Sequence, residues 1–154
     1  MTLAERIEKF NNLMGDIVPP EVKKDLLEKG FFTAPASTKY HGNYEGGLFD
    51  HSYMVAHYLK KLTEECRLDW QNPRSPLLVG MFHDPLLKGH GDKSVMVLAQ
   101  YFKLTEEEIM CIRYHMGAFC DKSEWNDYTR AVHKYTNVLW THQADMLASH
   151  VEGV

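Results

Sequence analysis

Residues 75–85 read SPLLVGMFHDP. An apolar run from Pro76 to Phe82 ends abruptly in His83 and Asp84, and Pro85 follows at once. Strand-like alternation is missing from the run and from its surroundings, so it reads as a buried helix from Ser75 to about Asp84. The helix delivers an imidazole and a carboxylate to the interior. Burying such groups without partners costs several kcal/mol, so something must compensate them. Adjacent helical side chains point about 100° apart. Pro85, however, biases Asp84 out of the helical region, which lets the two side chains converge. Taken alone, the dipeptide reads equally as a hydrogen-bonded His–Asp pair at a helix end.

Working outward, the remaining chain is helical almost throughout. Leu3, Ile7, Phe10 and Leu13 recur at spacings of three and four, predicting an amphipathic helix over 3–14. Pro19 and Pro20 open a second helix that Gly30 stops. Residues 31–47, FFTAPASTKYHGNYEGG, form a loop long enough to suggest a functional role. A third helix is expected from Leu48 to Cys66 and a fifth from Asp92 to Phe102. A sixth opens with the capping box Thr105/Glu108 and runs to about His115. A final helix is expected over 130–151. The expectation is one all-α domain over 1–154, with the helices of 1–30 packed on its core.

Composition bounds the function. The chain has 154 residues, 44% hydrophobic and 25% charged, enough for one core without cross-links. A net charge of −4 gives no footprint for a nucleic-acid backbone and weighs against a polymeric substrate. Cys66, Cys111 and Cys120 have no CxxC spacing and read as reduced thiols of a cytosolic protein. No apolar stretch is long enough to span a bilayer, and MTLAERIEKF lacks the apolar centre of a signal peptide. The chain is therefore expected to be soluble and cytoplasmic.

The nine histidines are unevenly placed. His57, His133 and His150 read as solvated surface residues. His51 falls on the Leu48–Val55–Leu59 side of the third helix, where a buried hydrogen-bonded imidazole and a ligand are both open readings. Asp145 interrupts the apolar ADMLA of the last helix, with His142 three residues earlier on the same face. Imidazole and carboxylate together suit borderline divalent metals such as Mn, Fe, Co, Ni or Zn.

With these pieces assembled, GGLFDHS, FHD and HQAD resemble the H…HD…D signature of the HD-domain superfamily of metal-dependent phosphohydrolases. YHGNYEGGLFDHS, GHGDKSV and IRYHMGAF are similar to small bacterial and phage members of that superfamily, over about Tyr40 to Ala148. The resemblance implies an HD-type helical bundle with metal ligands His51, His83, Asp84 and Asp145. Two-metal members add two histidines between HD and the last Asp, and His90 and His115 match them in order. Two divalent ions per chain (Mn, Fe, Ni, Co, Zn or Mg) are then expected, with Asp84 bridging them. The segment HDPLLKGHG is short beside many relatives, which implies a more open or differently lidded pocket.

The implied activity is hydrolysis of a phosphoester in a nucleotide or similar small phosphorylated substrate. Asp84 is the central catalytic residue, and Lys88, Lys93 and Arg113 are candidate charge stabilisers, although plain surface charge is the simpler reading of each. Lys39, Tyr40, His41 and Glu45 of the long loop are expected to contact substrate, and Gly46–Gly47 to permit close backbone approach. His142 is expected beside the ligands, orienting one of them or a water. Two other readings share these residues: an HD-type diiron oxygenase, and a non-catalytic metal- or nucleotide-binding module. Trp70, Trp125 and Trp140 suit a core or an oligomer interface.

Overall fold

The computed structural model describes residues 1–84 and 91–154. Among them there are helices and no strand. In chain order they are α1 (Leu3–Met14), α2 (Pro20–Glu28), α3 (Gly47–Glu65) and α4 (Ser75–Phe82), followed by α5 (Gly91–Leu98), α6 (Glu106–Arg113), α7 (Trp125–Lys134) and α8 (Asn137–Leu147). A wide π turn, Ala148–Glu152, continues α8. None of the described helices is long and apolar enough to cross a membrane.

Local signals account for most boundaries. Thr2 and Glu5 form a capping box on α1, as Thr105 and Glu108 do on α6. Pro20 stands at the first position of α2. Two regions depart from expectation by more than a residue or two. α5 stops at Leu98 rather than Phe102. The single helix expected over 130–151 is instead α7 and α8, parted at Tyr135, whose backbone is extended (φ −133°, ψ 96°). The break is held by Asn137, whose buried amide donates to Asp69 O (2.7 Å) and Glu107 Oε2 (3.2 Å). A tertiary anchor of this kind leaves no periodicity in the sequence.

An aromatic cluster ties the N-terminal helices to the centre. Phe10 of α1 meets Phe32 edge-on, with ring centroids 5.3 Å apart, and lies near Phe49 of α3 and Phe82 of α4. Phe10, Phe31, Phe32 and Phe49 are essentially sealed from solvent, each burial contributing about 1.5–3 kcal/mol. The inward stripe of α1 is rotated from the predicted one. Leu3 is 41% exposed, whereas Arg6 and Met14 are buried. Arg6 goes inside because Asp50 of α3 meets it there, with Nε donating to Oδ1 (2.9 Å) and Nη2 to Oδ2 (3.1 Å). Tyr44 Oη also donates to Asp50 Oδ2 (2.9 Å), and Arg6 Nη2 reaches Glu45 O (3.0 Å).

Close contacts explain the two glycines at the start of α3, the first of them with Arg6. Gly46 sits at φ 84°, and a Cβ there would fall 2.1 Å from the Arg6 guanidinium carbon. A Cβ on Gly47 would fall 2.0 Å from Gly42 O. The close approach expected at Gly46–Gly47 is therefore made by Arg6 and by the loop's own backbone. The loop is braced along its length by Ala36 N to Gly42 O (2.9 Å) and Gly46 N to Thr33 O (2.8 Å).

The most intimate helix contact is between α3 and α4. A Cβ on Gly80 would meet Ala56 Cα at 2.4 Å and Ala56 N at 2.7 Å, so the two backbones touch. Gly80→Ala gains about 1 kcal/mol of helix propensity. The clash is with backbone that cannot rotate away, and overpacking of this kind costs about 1–3 kcal/mol or more. Net destabilisation by at least about 1 kcal/mol is expected in urea unfolding. A neutral or stabilised variant would show that the helices are not in contact there.

Candidate metal centre

Four elements bring polar side chains to one buried point. His51 lies in the second turn of α3, 1% exposed, on the inward face with Leu48, Val55 and Leu59. His83 caps the end of α4 and is fully buried. Its Nδ1–H donates to Gly80 O, three residues back, at 2.8 Å. His115 repeats the arrangement just past α6, with Nδ1–H donating to Ile112 O at 2.7 Å. Each imidazole thus bonds a carbonyl of its own helix end, and presents Nε2 on its other side. Asp145 comes from α8, and Asp84 follows His83, with 28% of its side chain exposed.

The distances define the site. His51 Nε2 is 3.1 Å from His83 Nε2, 3.2 Å from Asp145 Oδ1 and 3.5 Å from Asp84 Oδ2. Asp84 Oδ2 is 3.6 Å from His83 Nε2, while its Oδ1 turns to His115 Nε2 at 3.4 Å. Two overlapping groups could hold a metal ion, His51–His83–Asp145 and His83–Asp84–His115, with their ligand atoms within 4.8 Å of one another.

Chemistry decides what the groups fit. The Nδ1 atoms of His51, His83 and His115 face Val154 O, Gly80 O and Ile112 O, which only accept, so each Nδ1 carries a proton. In the neutral imidazoles every Nε2 then bears a lone pair. Those of His51 and His83 point at each other across 3.1 Å, with carboxylate oxygens alongside. Such an array is repulsive without a cation. Ligand atoms about 2.1 Å from a common ion lie about 3.0–3.4 Å apart at octahedral or tetrahedral angles. The observed 3.1 and 3.2 Å edges fall in that range. The residues fit a divalent ion with mixed nitrogen and oxygen ligands.

In the metal-free protein, protons do part of this work. Burial opposes charge on Asp84, but His83, His115 and His51 together hold its carboxyl far below the ordinary range. Burial opposes charge on Asp145 as well, and its hydrogen bond with His51 leads the effects that lower it. His51 is raised despite burial, through Asp145 and Asp84. His115 is raised despite burial, through Asp84. His83, sealed from solvent, is lowered by burial.

Other expected residues fall at varying distances. Lys88 and His90 lie outside the described residues. His142 donates Nδ1–H to His115 O (2.8 Å), so it holds the backbone of a ligand-bearing turn. Gly117, at φ 57°, leaves space for it, since a Cβ there would meet the His142 ring at 2.6 Å. The loop brings His41 close to the centre, with its ring 5.6 Å from that of His51. Lys39, Tyr40 and Glu45 are exposed on the same loop. Arg113 pairs with Asp92 (3.0 Å), and both line an open cleft of about 250 Å³ that reaches Asp84 and His115. Lys93 is exposed on α5, next to Asp92 in sequence. His57, His133 and His150 are exposed as expected, although the His150 ring lies 6.4 Å from that of His41.

Several supporting residues left no mark in the sequence. Ser94 Oγ donates to His83 O (3.0 Å), Ser149 Oγ donates to Asp145 Oδ1 (3.2 Å), and Val154 O accepts from His51. Ser149 alone had a usable signal, standing one turn after Asp145 on the same helical face.

Metal and protons compete for the same atoms, so binding releases protons. His51 and His115 are raised above the ordinary histidine value of about 6.5. Competition therefore begins above that pH and grows as pH falls. The rise in melting temperature given by saturating Zn²⁺ is expected to be large at pH 8 and to shrink steadily toward pH 5.5. Equal shifts at both ends would contradict histidine ligation.

Comparison of the chain with protein-family models, with curated protein sequences and with solved structures gives no match at significance.

Proposed function

We propose that this chain is a cytosolic metal-dependent phosphohydrolase of the HD-domain kind, acting on a nucleotide or similar small phosphorylated substrate. The observation that carries the reading is the pair of buried Nε2 lone pairs facing across 3.1 Å beside two carboxylates. The convergence of His51, the adjacent pair His83–Asp84, and Asp145 from three separate stretches of sequence supports the resemblance in the order H…HD…D. A divalent ion held there supplies Lewis-acid activation of a water and of a phosphoryl group.

The chain's own residues supply the rest. His51, His83 and His115 are oriented by backbone acceptors, so their lone pairs are aimed before any ligand arrives. Asp84 divides its two oxygens between His51/His83 and His115, which supports a bridging carboxylate and two ions per chain. It is also the member of the cluster that lines the open cleft together with His115, where a phosphoester would approach. Arg113 is the cation of that cleft among the described residues, and a phosphate entering there competes with Asp92 for its guanidinium. His41, with Lys39, Tyr40 and Glu45 on its loop, is proposed to touch the organic part of the substrate from the His51 side.

Asp84→Ala is expected to abolish turnover of a nucleotide panel assayed with Mn²⁺ while the helical circular-dichroism signal is kept. Retention of a tenth of parental activity would sink the role of Asp84. Oxygen consumption by the iron-loaded protein, with no phosphate release, would replace the hydrolase with an oxygenase. His115→Ala is expected to retain about one metal equivalent where the parent holds two, with a steep fall in activity. Equal stoichiometry in the two proteins would leave a one-metal site.

A further inference from the structure

The three histidines of the centre do not have equal access to an orienting acceptor. His83 and His115 follow helix ends and use the carbonyl three residues back. His51 lies inside α3, where the carbonyls of the preceding turn are engaged by the helix itself. Its Nδ1–H therefore needs an acceptor from elsewhere, and that acceptor is Val154 O at 2.9 Å.

We infer that the turn after α8, residues 148–154, is a positioning element of the metal centre that sets the ligand geometry of His51 and Asp145. The inference rests on the reading of the cluster as a metal site. The chain leaves α8 through the π turn Ala148–Glu152, of the kind often found at functional sites. Gly153 then takes φ 74° and reverses the direction, and Val154 N returns to Ala148 O at 3.2 Å. An uninterrupted α-helix would carry these residues away from the centre at 1.5 Å per residue. The turn is fastened at both ends. Glu152 Oε1 accepts from Tyr58 Oη (2.5 Å) on α3, the helix that carries His51, and the Val154 side chain packs against the core. Within the same turn Ser149 Oγ donates to Asp145 Oδ1, the oxygen that lies 3.2 Å from His51 Nε2.

One short segment thus touches both ligands of the His51–His83–Asp145 group that belong to α3 and α8. Without Val154 O the His51 proton is free to move to Nε2, where it blocks the lone pair. Loss of an orienting partner of a ligand typically weakens metal binding about 10–100-fold. His83, Asp84 and His115 take nothing from this turn in the contacts described above.

Two variants test the element: the chain stopped at Glu152, and Gly153→Ala. The second acts through the backbone alone, because a Cβ at 153 meets nothing within 4 Å but disfavours positive φ. Zn²⁺ affinity is read by competition with a chromophoric chelator, with the melting temperature of the metal-free protein as control. Histidine ¹⁵N shifts of the metal-free protein, recorded at alkaline pH where His51 is neutral, report which nitrogen of His51 carries the proton. The expected result is Zn²⁺ binding weakened about 10–100-fold at the His51–His83–Asp145 group, a metal-free melting temperature close to the parent's, and appearance of Nε2-protonated His51. Variants that bind Zn²⁺ as the parent does, or keep His51 protonated at Nδ1 alone, overturn the inference. So does a loss of affinity matched by loss of metal-free stability in both variants. A parent chain that takes up no Zn²⁺ would instead remove the metal centre itself, and this inference with it.

Discussion

Five ionisable side chains packed around one interior point are the condition under which this molecule must fold. His51, His83, His115 and Asp145 are nearly inaccessible, and Asp84 closes the group. Imidazole and carboxylate groups of this kind cost several kcal/mol each to bury unless charge and hydrogen bonds compensate them. The bundle supplies a backbone acceptor to every Nδ1 among the three histidines and leaves every Nε2 turned inward. Compensation on the inward side then falls to protons or to a cation. The helical architecture is the means by which such an array is held at fixed spacing.

Two structural devices set that spacing. Gly80 lets α4 touch α3 at Ala56, which brings the end of α4, and hence His83, to within hydrogen-bond range of His51. Arg6, Asp50 and Tyr44 fix the start of α3 one residue before His51 and brace the loop that carries His41. Breaking a buried pair such as Arg6–Asp50 typically costs about 3–5 kcal/mol, because the remaining charge is left uncompensated. Its place immediately beside His51 links the N-terminal helix to the candidate metal centre through one interaction.

Much of this was legible in the sequence, for identifiable reasons. The apolar run ending in His83–Asp84 and the solitary Asp145 in ADMLA each announce a buried polar group that needs a partner, and the structure gives them His51 as a common neighbour. His51 was ambiguous because one imidazole on an apolar face has many uses, and only the position of His83 decides among them. What stayed hidden depends on contacts between distant residues. Arg6 interrupts no pattern until Asp50 is seen across from it, and Asn137 breaks the last helix only because Asp69 and Glu107 receive its amide. The acceptor for His51 is a main-chain atom, Val154 O, which no side-chain pattern encodes. The capping box of α6, by contrast, is local and was read directly.

The central claim is that the facing imidazoles are metal ligands, and anomalous diffraction from crystals grown with Zn²⁺ at neutral pH tests it most directly. The account predicts an anomalous peak about 2.0–2.2 Å from His51 Nε2, His83 Nε2 and Asp145 Oδ1, with each Nδ1 still on its backbone acceptor. Crystals saturated with Zn²⁺ that show no peak there, with His51 and His83 still joined directly at 3.1 Å, would contradict it.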